Sequence, residues 1–491
     1  MIEHCDTVPR VYPLLFAIMI LVMIMLCSCD SSTEPENTGT ISGSVQLQDD
    51  AMSKAVVTDY SGVRVAVYSL AILDTTIVRI NTEHPNIGLI ISQETEFDHR
   101  LQSPVATSMT DASGAFSIGG LSPGAYNIAF LKDGWSIKYL YSITVTAAAN
   151  TQVGNQQLKP AVSMTDTFYP SMVFEGDRTY ILNNTVSIVG QTTLKKGTRV
   201  YMANNSELRL YGGVSFSGGT ELGNYWLMDT GYNLYGYATM PIDSLNYAGG
   251  LILYGGNTHI EHGLIRRSNY ALTTFDGRFT FENMDINNFN TGYSLNNSGG
   301  SFTRVQIRNG KTIGIQALST VDTLKVSKCA VINSADGVVA YTSGGYSVTD
   351  SYFMENYNAV YPQNCNGVVE YNNFYLNSYD IRQYNARCNI SYNNFFQSRN
   401  TTLLPRNYAL IRNNNFYKTD VFFINIRGGN VNTYSIVQAD LDAKENYWAV
   451  SNIDTYILDK LDNANYPGTE CIFQVNYLPK KYSKVVDAGI R

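Results

Sequence analysis

The chain has 491 residues, more than one ordinary hydrophobic core organises, so two or more domains are expected. Charged residues are only 15%, against 39 Gly and 36 Tyr, a profile that suits short strands and tight turns in an all-β chain. The net charge is −7 without clustered Lys and Arg, which argues against nucleic acid as a partner, because phosphates need grouped cations.

Residues 14–26 are almost wholly apolar, too short to span a bilayer comfortably and of the right length for the apolar region of a signal peptide. They run into Leu26-Cys27-Ser28-Cys29. This resembles a bacterial lipobox, which implies a signal peptide over 1–28 and Cys29 as a lipid-bearing N-terminus. An ordinary cleaved signal peptide or an N-terminal anchor is the alternative. Residues 29–39 are polar and contain Pro, and read as a tether. The implied location is the bacterial cell envelope, held to a membrane by the lipid, with the leaflet left open.

Residues 40–160 read as a small β-sandwich. Ile41–Val45 and Val63–Val67 alternate, and Thr110–Ile118 holds two strands around a turn at Asp111 and Gly114. Gly120–Ile128 adds a Pro123-Gly124 turn. The pair of patterns T-D-x-x-G-x-F and L-x-x-G-x-Y resembles the carboxypeptidase regulatory-like (transthyretin-like) domain, an accessory or spacer module in that family. Residues 71–107 exceed the family pattern and are expected to be an inserted loop or hairpin.

Residues 166–482 carry an internal repeat. Apolar pairs five apart recur at Ile260/Ile265, Phe281/Ile286, Phe302/Ile307, Val326/Val331, Val348/Phe353, Val369/Phe374, Ile390/Phe395 and Ile411/Phe416. Their second members are spaced by 21, 21, 24, 22, 21, 21 and 21 residues. Each copy holds three short β segments and three turns. Stacked copies put like positions about 4.8 Å apart, so each strand pairs with its counterpart in the next copy and the apolar pairs line one interior. Between the pair members stand His262, Asn283, Arg304, Lys328, Asp350, Tyr371, Tyr392 and Asn413, with Asn372-Asn373, Asn393-Asn394 and Asn414-Asn415 beside them. Stacked Asn amides can hydrogen-bond along such an axis. The pattern resembles the right-handed parallel β-helix superfamily that includes pectate lyases. The expected fold is therefore all-β: a small sandwich, then a right-handed parallel β-helix with regular coils over about 257–425 and a cap over about 440–482. In the cap, Asn452 precedes Ile453, Ile457 and Leu461 with helical spacing, and a closing strand follows over 471–477.

Enzymes of that superfamily carry acids on the outward positions of one sheet. Here those positions hold Ser294, Gln316, Leu318, Val339, Tyr341, Tyr361, Gln363, Arg382 and Tyr384, and no carboxylate. The weak catalytic candidates are Glu261 and Glu282, one coil apart at the same repeat position with His262 and Arg304 near. Two solvated surface carboxylates are the blander reading. Tyr341, Tyr361 and Tyr384, with Gln363 and Arg382, form a candidate sugar-binding stripe of aromatic faces, amide and guanidinium. Its plain alternative is that Tyr is a common strand residue here. Cys365 and Cys388 fall near one turn of successive coils, which admits a disulfide in an exported protein, although their repeat positions differ by two. Lys195-Lys196 and Arg266-Arg267 read as solvated surface charges. No cofactor or metal site is expected from five His without paired spacing. The leading expectation is a non-catalytic lipoprotein that binds glycan or another envelope component. A polysaccharide lyase or hydrolase with a divergent site, or an adhesive stalk, are the alternatives.

Overall fold

The computed structural model describes residues 37–48, 57–217, 225–236, 244–320, 322–341, 344–405, 407–427, 439–465 and 471–491. Two bodies are present: a small sandwich-like N-terminal region and a parallel β-solenoid of about 12 turns.

In the first body, β1 (Gly39–Leu47), β2 (Arg64–Ser69), β3 (Ala106–Met109), β4 (Ala115–Leu121), β5 (Gly124–Leu131), β6 (Lys138–Val145) and β7 (Asn150–Leu158) form two sheets. Their orders are β4-β1-β7 and β3-β2-β5-β6. Alternation along the strands sends Ile41, Val45, Val65, Val67, Phe116 and Ile128 into the space between them. The β3–β4 turn forms because Asp111 Oδ1 accepts from the backbone N–H groups of Ser113 and Ala115, each at 2.9 Å. Gly114 follows at φ +83°, where a Cβ would lie 2.0 Å from the Val45 carbonyl oxygen.

Residues 71–105, between β2 and β3, are not a plain loop or hairpin. They contain α1 (Thr75–Glu83) and α2 (Gln93–Glu96), then a 3₁₀ turn at His99–Leu101. Asp74 caps α1 through Thr76 N at 2.9 Å, and Ser92 and Thr95 form a capping box on α2. The apolar stripe of α1 is too short to be stable alone. It is held because Ile77, Ile80, Ile87 and Leu89 pack on Ala330, Ile332 and Tyr352 of the solenoid.

The solenoid begins before the regular repeat, where Val162–Met164 pairs in parallel with Tyr180–Leu182. Each coil has three faces. In the coil of residues 278–297, the first face is Arg278–Glu282, and Asp285–Asn296 bends to supply the second and third. Single residues in the left-handed region make the corners: Asn283 at φ 51°, Asn288 at 57° and Asn297 at 49°. The residues standing between the apolar pair members are these corners. His262, Asn283, Arg304, Lys328, Asp350, Tyr371, Tyr392 and Asn413 all have φ between 50° and 60°.

The second-face column expected from the repeat is present, with Ile265, Ile286, Ile307, Val331, Phe353, Phe374 and Phe395 in successive register. Its aromatic half stacks ring on ring, at 5.1, 5.0 and 4.9 Å from Phe353 to Phe416. The expected Asn ladder is also there, buried just after the first corner. Asn372, Asn393, Asn414 and Asn446 pass one amide hydrogen bond per coil, each at 3.0 Å.

At the C-terminal end the structure departs from the expected helix after Asn452. Two 3₁₀ turns, Asp454–Tyr456 and Lys460–Asn465, flank a strand at Ile457–Leu458 that pairs with Phe422–Asn425. Ile457 continues the third-face column on Ile424, and that lateral pairing outweighs the helical spacing. Val475–Asn476 closes the stack on Leu441–Asp442. Residues 485–491 then run back across the second face.

Candidate functional site

The tyrosine stripe lies on the third face, outside the face that the insertion covers. Register places Tyr341, Gln363 and Tyr384 in one column, and Val339 and Tyr361 in the neighbouring one. The three tyrosines therefore do not make a single row, because Tyr361 stands two residues before Gln363 on its own strand. Arg382 follows Tyr361 in that second column, and its guanidinium lies 5.2 Å from the Tyr361 ring centroid and 5.7 Å from that of Tyr379. Tyr357 meets Tyr379 edge to face at 5.5 Å and extends the patch. Tyr341 is 41% exposed and Tyr357 52%, so aromatic surface is open to a ligand. Tyr357 and Tyr379 escaped the sequence reading because they sit beside the second corner, outside the positions compared there.

Glu261 and Glu282 are direct register partners. They do not face each other as an acid and a base. Arg304 Nη2 pairs with Glu282 Oε1, His259 Nε2 lies 3.5 Å from Glu282 Oε2, and His262 Nδ1 lies 3.4 Å from Glu261 Oε2. Burial, then the charge of Lys196, lowers the His262 imidazole below its ordinary range. Glu282 is thus tied to a guanidinium, and Glu261 stands beside an imidazole that burial keeps neutral.

Cys365 and Cys388 are buried thiols. Register sets Cys388 against Gly367, which leaves Cys365 two positions away. Burial pushes the Cys388 thiol up to about 12, so it stays protonated and unreactive. Cys29 lies outside the described residues. Among the described residues no group of three or more His, Cys, Asp or Glu is arranged to hold a metal.

The structure overturns the solvated reading of Arg266-Arg267. Both are buried, at 8% and 4% exposure, beneath the insertion. Arg267 and Arg100 bracket Asp98 and Asp229: Arg100 Nη2 is 2.9 Å from Asp98 and 2.6 Å from Asp229, and Arg267 Nη2 is 2.5 Å from Asp98. Burial alone would raise the Asp98 carboxyl, yet the two guanidiniums outweigh it and hold that group well below the usual range. Two coils on, Arg308 takes Asp285 at 2.6 Å, Asp74 at 2.9 Å and Glu96 at 2.9 Å. These networks join the insertion to the solenoid. Every cation in them is matched by carboxylate, so they read as a clamp. The pairs that join the insertion to the solenoid lie more than 100 positions apart in sequence and follow no period, so nothing local announces them.

A second aromatic row was also missed. Asn372-Asn373-Phe374-Tyr375, Asn393-Asn394-Phe395-Phe396 and Asn414-Asn415-Phe416-Tyr417 repeat one motif. The first Asn and the Phe point inward. The second Asn and the last ring point outward on the second face, where Phe396 and Tyr417 stack at 5.1 Å.

No protein-family model and no curated protein matches the chain. Among solved structures, the minor pilin GBS52 of Streptococcus agalactiae is similar at 15% identity, over 26% of this chain and 47% of that one, with a TM-score of 0.15.

Proposed function

We infer that this chain is an exported lipoprotein of a bacterial envelope, anchored through Cys29, that holds an extended polysaccharide on its solenoid without cleaving it. The observation that carries the reading is the third-face patch. Tyr341, Gln363 and Tyr384 rise in one column beside Tyr361 and Arg382, one coil per step of about 4.8 Å. Aromatic faces stack on sugar rings, and amide and guanidinium groups bind hydroxyls or carboxylates between them. The ion pair that ties Glu282 to Arg304 supports the non-catalytic part. The N-terminal body is read as a carboxypeptidase regulatory-like module, supported by the Asp111–Gly114 turn and by Phe116 and Tyr126 in its core.

Affinity electrophoresis through gels cast with anionic and neutral polysaccharides tests the binding. At least one polymer retards the protein, and the Tyr341→Ala/Tyr361→Ala double variant loses about tenfold in affinity with its melting unchanged. Absence of retardation in every gel, or retardation equal in the variant, overturns the assignment. Release of shortened products overturns the non-catalytic part. Labelling with radioactive palmitate, lost in Cys29→Ala, tests the anchor.

A further inference from the structure

Residues 485–491 lie in a groove built from side chains of four coils. Its floor is an outward Asn ladder. Asn415 Nδ2 donates to Asn394 Oδ1 at 2.8 Å, and Asn394 Nδ2 donates to Asn373 Oδ1 at 3.0 Å. The same amides read the backbone of the segment above. Val485 N donates to Asn415 Oδ1 at 2.7 Å, and Asn415 Nδ2 donates to the Val485 carbonyl at 3.0 Å. Asn394 Nδ2 donates to the Ala488 carbonyl at 3.0 Å, and Gly489 N donates to the Tyr392 carbonyl at 2.7 Å.

Two side-chain features add selectivity. Gly489 has φ +98°, and a Cβ there would stand 2.3 Å from Asn394 Nδ2 and 2.6 Å from Asn373 Oδ1. The crossing point thus demands glycine. Arg491 lies with its guanidinium 3.5 Å from the Tyr371 ring centroid, and its Nε and Nη2 reach Asp350 at 3.0 and 3.1 Å. Tyr371 stacks on Tyr392 at 5.0 Å to form one wall. On the other side Ile490 packs against the cluster that includes Tyr352, Met354 and Tyr375. The flanking residues of the segment face outward: Val486 is 84% exposed and Tyr482 91%.

A floor that pairs both backbone groups of one residue, a slot for glycine and a terminal Arg clamp are the parts of a peptide-recognition site. We propose that this groove is a binding site for an extended peptide carrying Gly-x-Arg, and that residues 485–491 are its resident, displaceable occupant. The partner is a protein segment of that chemistry, supplied by another chain. The attachment of the resident segment makes it a competitor at high effective concentration, so the site opens only when that segment leaves.

The probe is a fluorescent synthetic peptide of residues 483–491. A chain shortened to residue 482 binds it saturably, one to one. Peptides with Gly489→Val or Arg491→Ala bind at least tenfold more weakly, and the unshortened chain at least tenfold more weakly than the shortened one. A shortened chain that melts cooperatively yet ignores millimolar peptide, or that binds a scrambled peptide equally, overturns the proposal. Should shortening prevent folding, Gly489→Val in the full chain expels the segment by steric clash, and the same peptide then binds. Hydrogen exchange on the unaltered chain gives an independent reading. The Val485 and Gly489 amides exchange through a local opening, well before the amides of Phe374 and Phe395. Exchange of all four only by global unfolding would show that the segment never leaves, which also overturns displacement.

Discussion

Asn393 shows how a single polar side chain serves an apolar interior. Its Oδ1 accepts from both the backbone N and the side-chain Nδ2 of Asn372, at 3.0 Å each, and its Nδ2 donates to the Val369 carbonyl at 2.7 Å. Asn393→Ala leaves buried donors and acceptors unpaired on two coils and is expected to cost about 3 kcal/mol in urea unfolding. Asn389→Ala, on the exposed first face, should stay within about 0.5 kcal/mol. Asp380 is a different case, a buried carboxyl held by the neutral groups of Ser398 and Asn377. Burial pushes it up to about 7, and the hydrogen bonds from Ser398 and Asn377 offset only part of that. Its folded value lies above the ordinary 3.8, so the native state keeps a proton that the unfolded chain has released. Stability therefore falls as pH rises from about 4 to about 7, and the loss is complete above that window. Asp380→Asn should flatten the dependence and gain about 2 kcal/mol or more at pH 8, read from melting across that range. Neither residue's role is equally visible in sequence. The Asn recurs with the repeat and was legible. Asp380 occurs in one coil only, and its burial depends on Ser398 and Thr402 of the next.

At the scale of elements, strands were legible and attachments were not. A strand in this solenoid is specified by residues one coil away, so its pattern recurs and can be read. The corners follow the same logic. The polar or aromatic residue at every copy of one position marks a left-handed backbone. The insertion has no copy. Its helix α1 gains its stability from the face it covers, and its charges pair with arginines that look solvated in isolation. His99 gives this docking a pH limit. Leu234 O can only accept, at 2.9 Å, so Nε2 carries the proton and Nδ1 accepts from Tyr139 OH at 2.6 Å. Burial lowers the imidazole to about 4, ahead of the opposing pull of Asp98. The folded value lies below the unfolded 6.5, so His99 contributes stability above that pH and loses it as pH falls towards 4. Hydrogen exchange should report release of residues 97–101 in this interval while the coils stay protected. A His99→Gln variant should be less stable at pH 7 and lack that acid step.

For the whole molecule, polar and apolar contacts join the two bodies. The residues just before β6 exchange hydrogen bonds with the solenoid, Ile137 N to Thr179 Oγ1 and Thr179 N to Ser136 Oγ, both at 3.0 Å. Tyr201 and Leu234 complete an apolar cluster with Tyr68 and Tyr139. A single calorimetric transition is expected, and Arg267→Ala, which leaves Arg100 as the remaining guanidinium between the buried Asp98 and Asp229 carboxylates, should split it into two. Two resolved transitions in the unaltered protein would show that the interface does not couple the bodies.

A stack of coils normally frays inward from its ends, because an end coil has one neighbour instead of two. Here the strap from the N-terminal body and the final seven residues converge on the middle of the stack, where His84 Nε2 meets Asn373 Nδ2 at 2.9 Å and Ile490 joins the cluster around Ile77 and Tyr352. Peeling from either end therefore has to break a contact made several coils further in. The strap, which stays in place when the final segment opens, therefore sets the resistance to unwinding at those inner coils rather than at the tips.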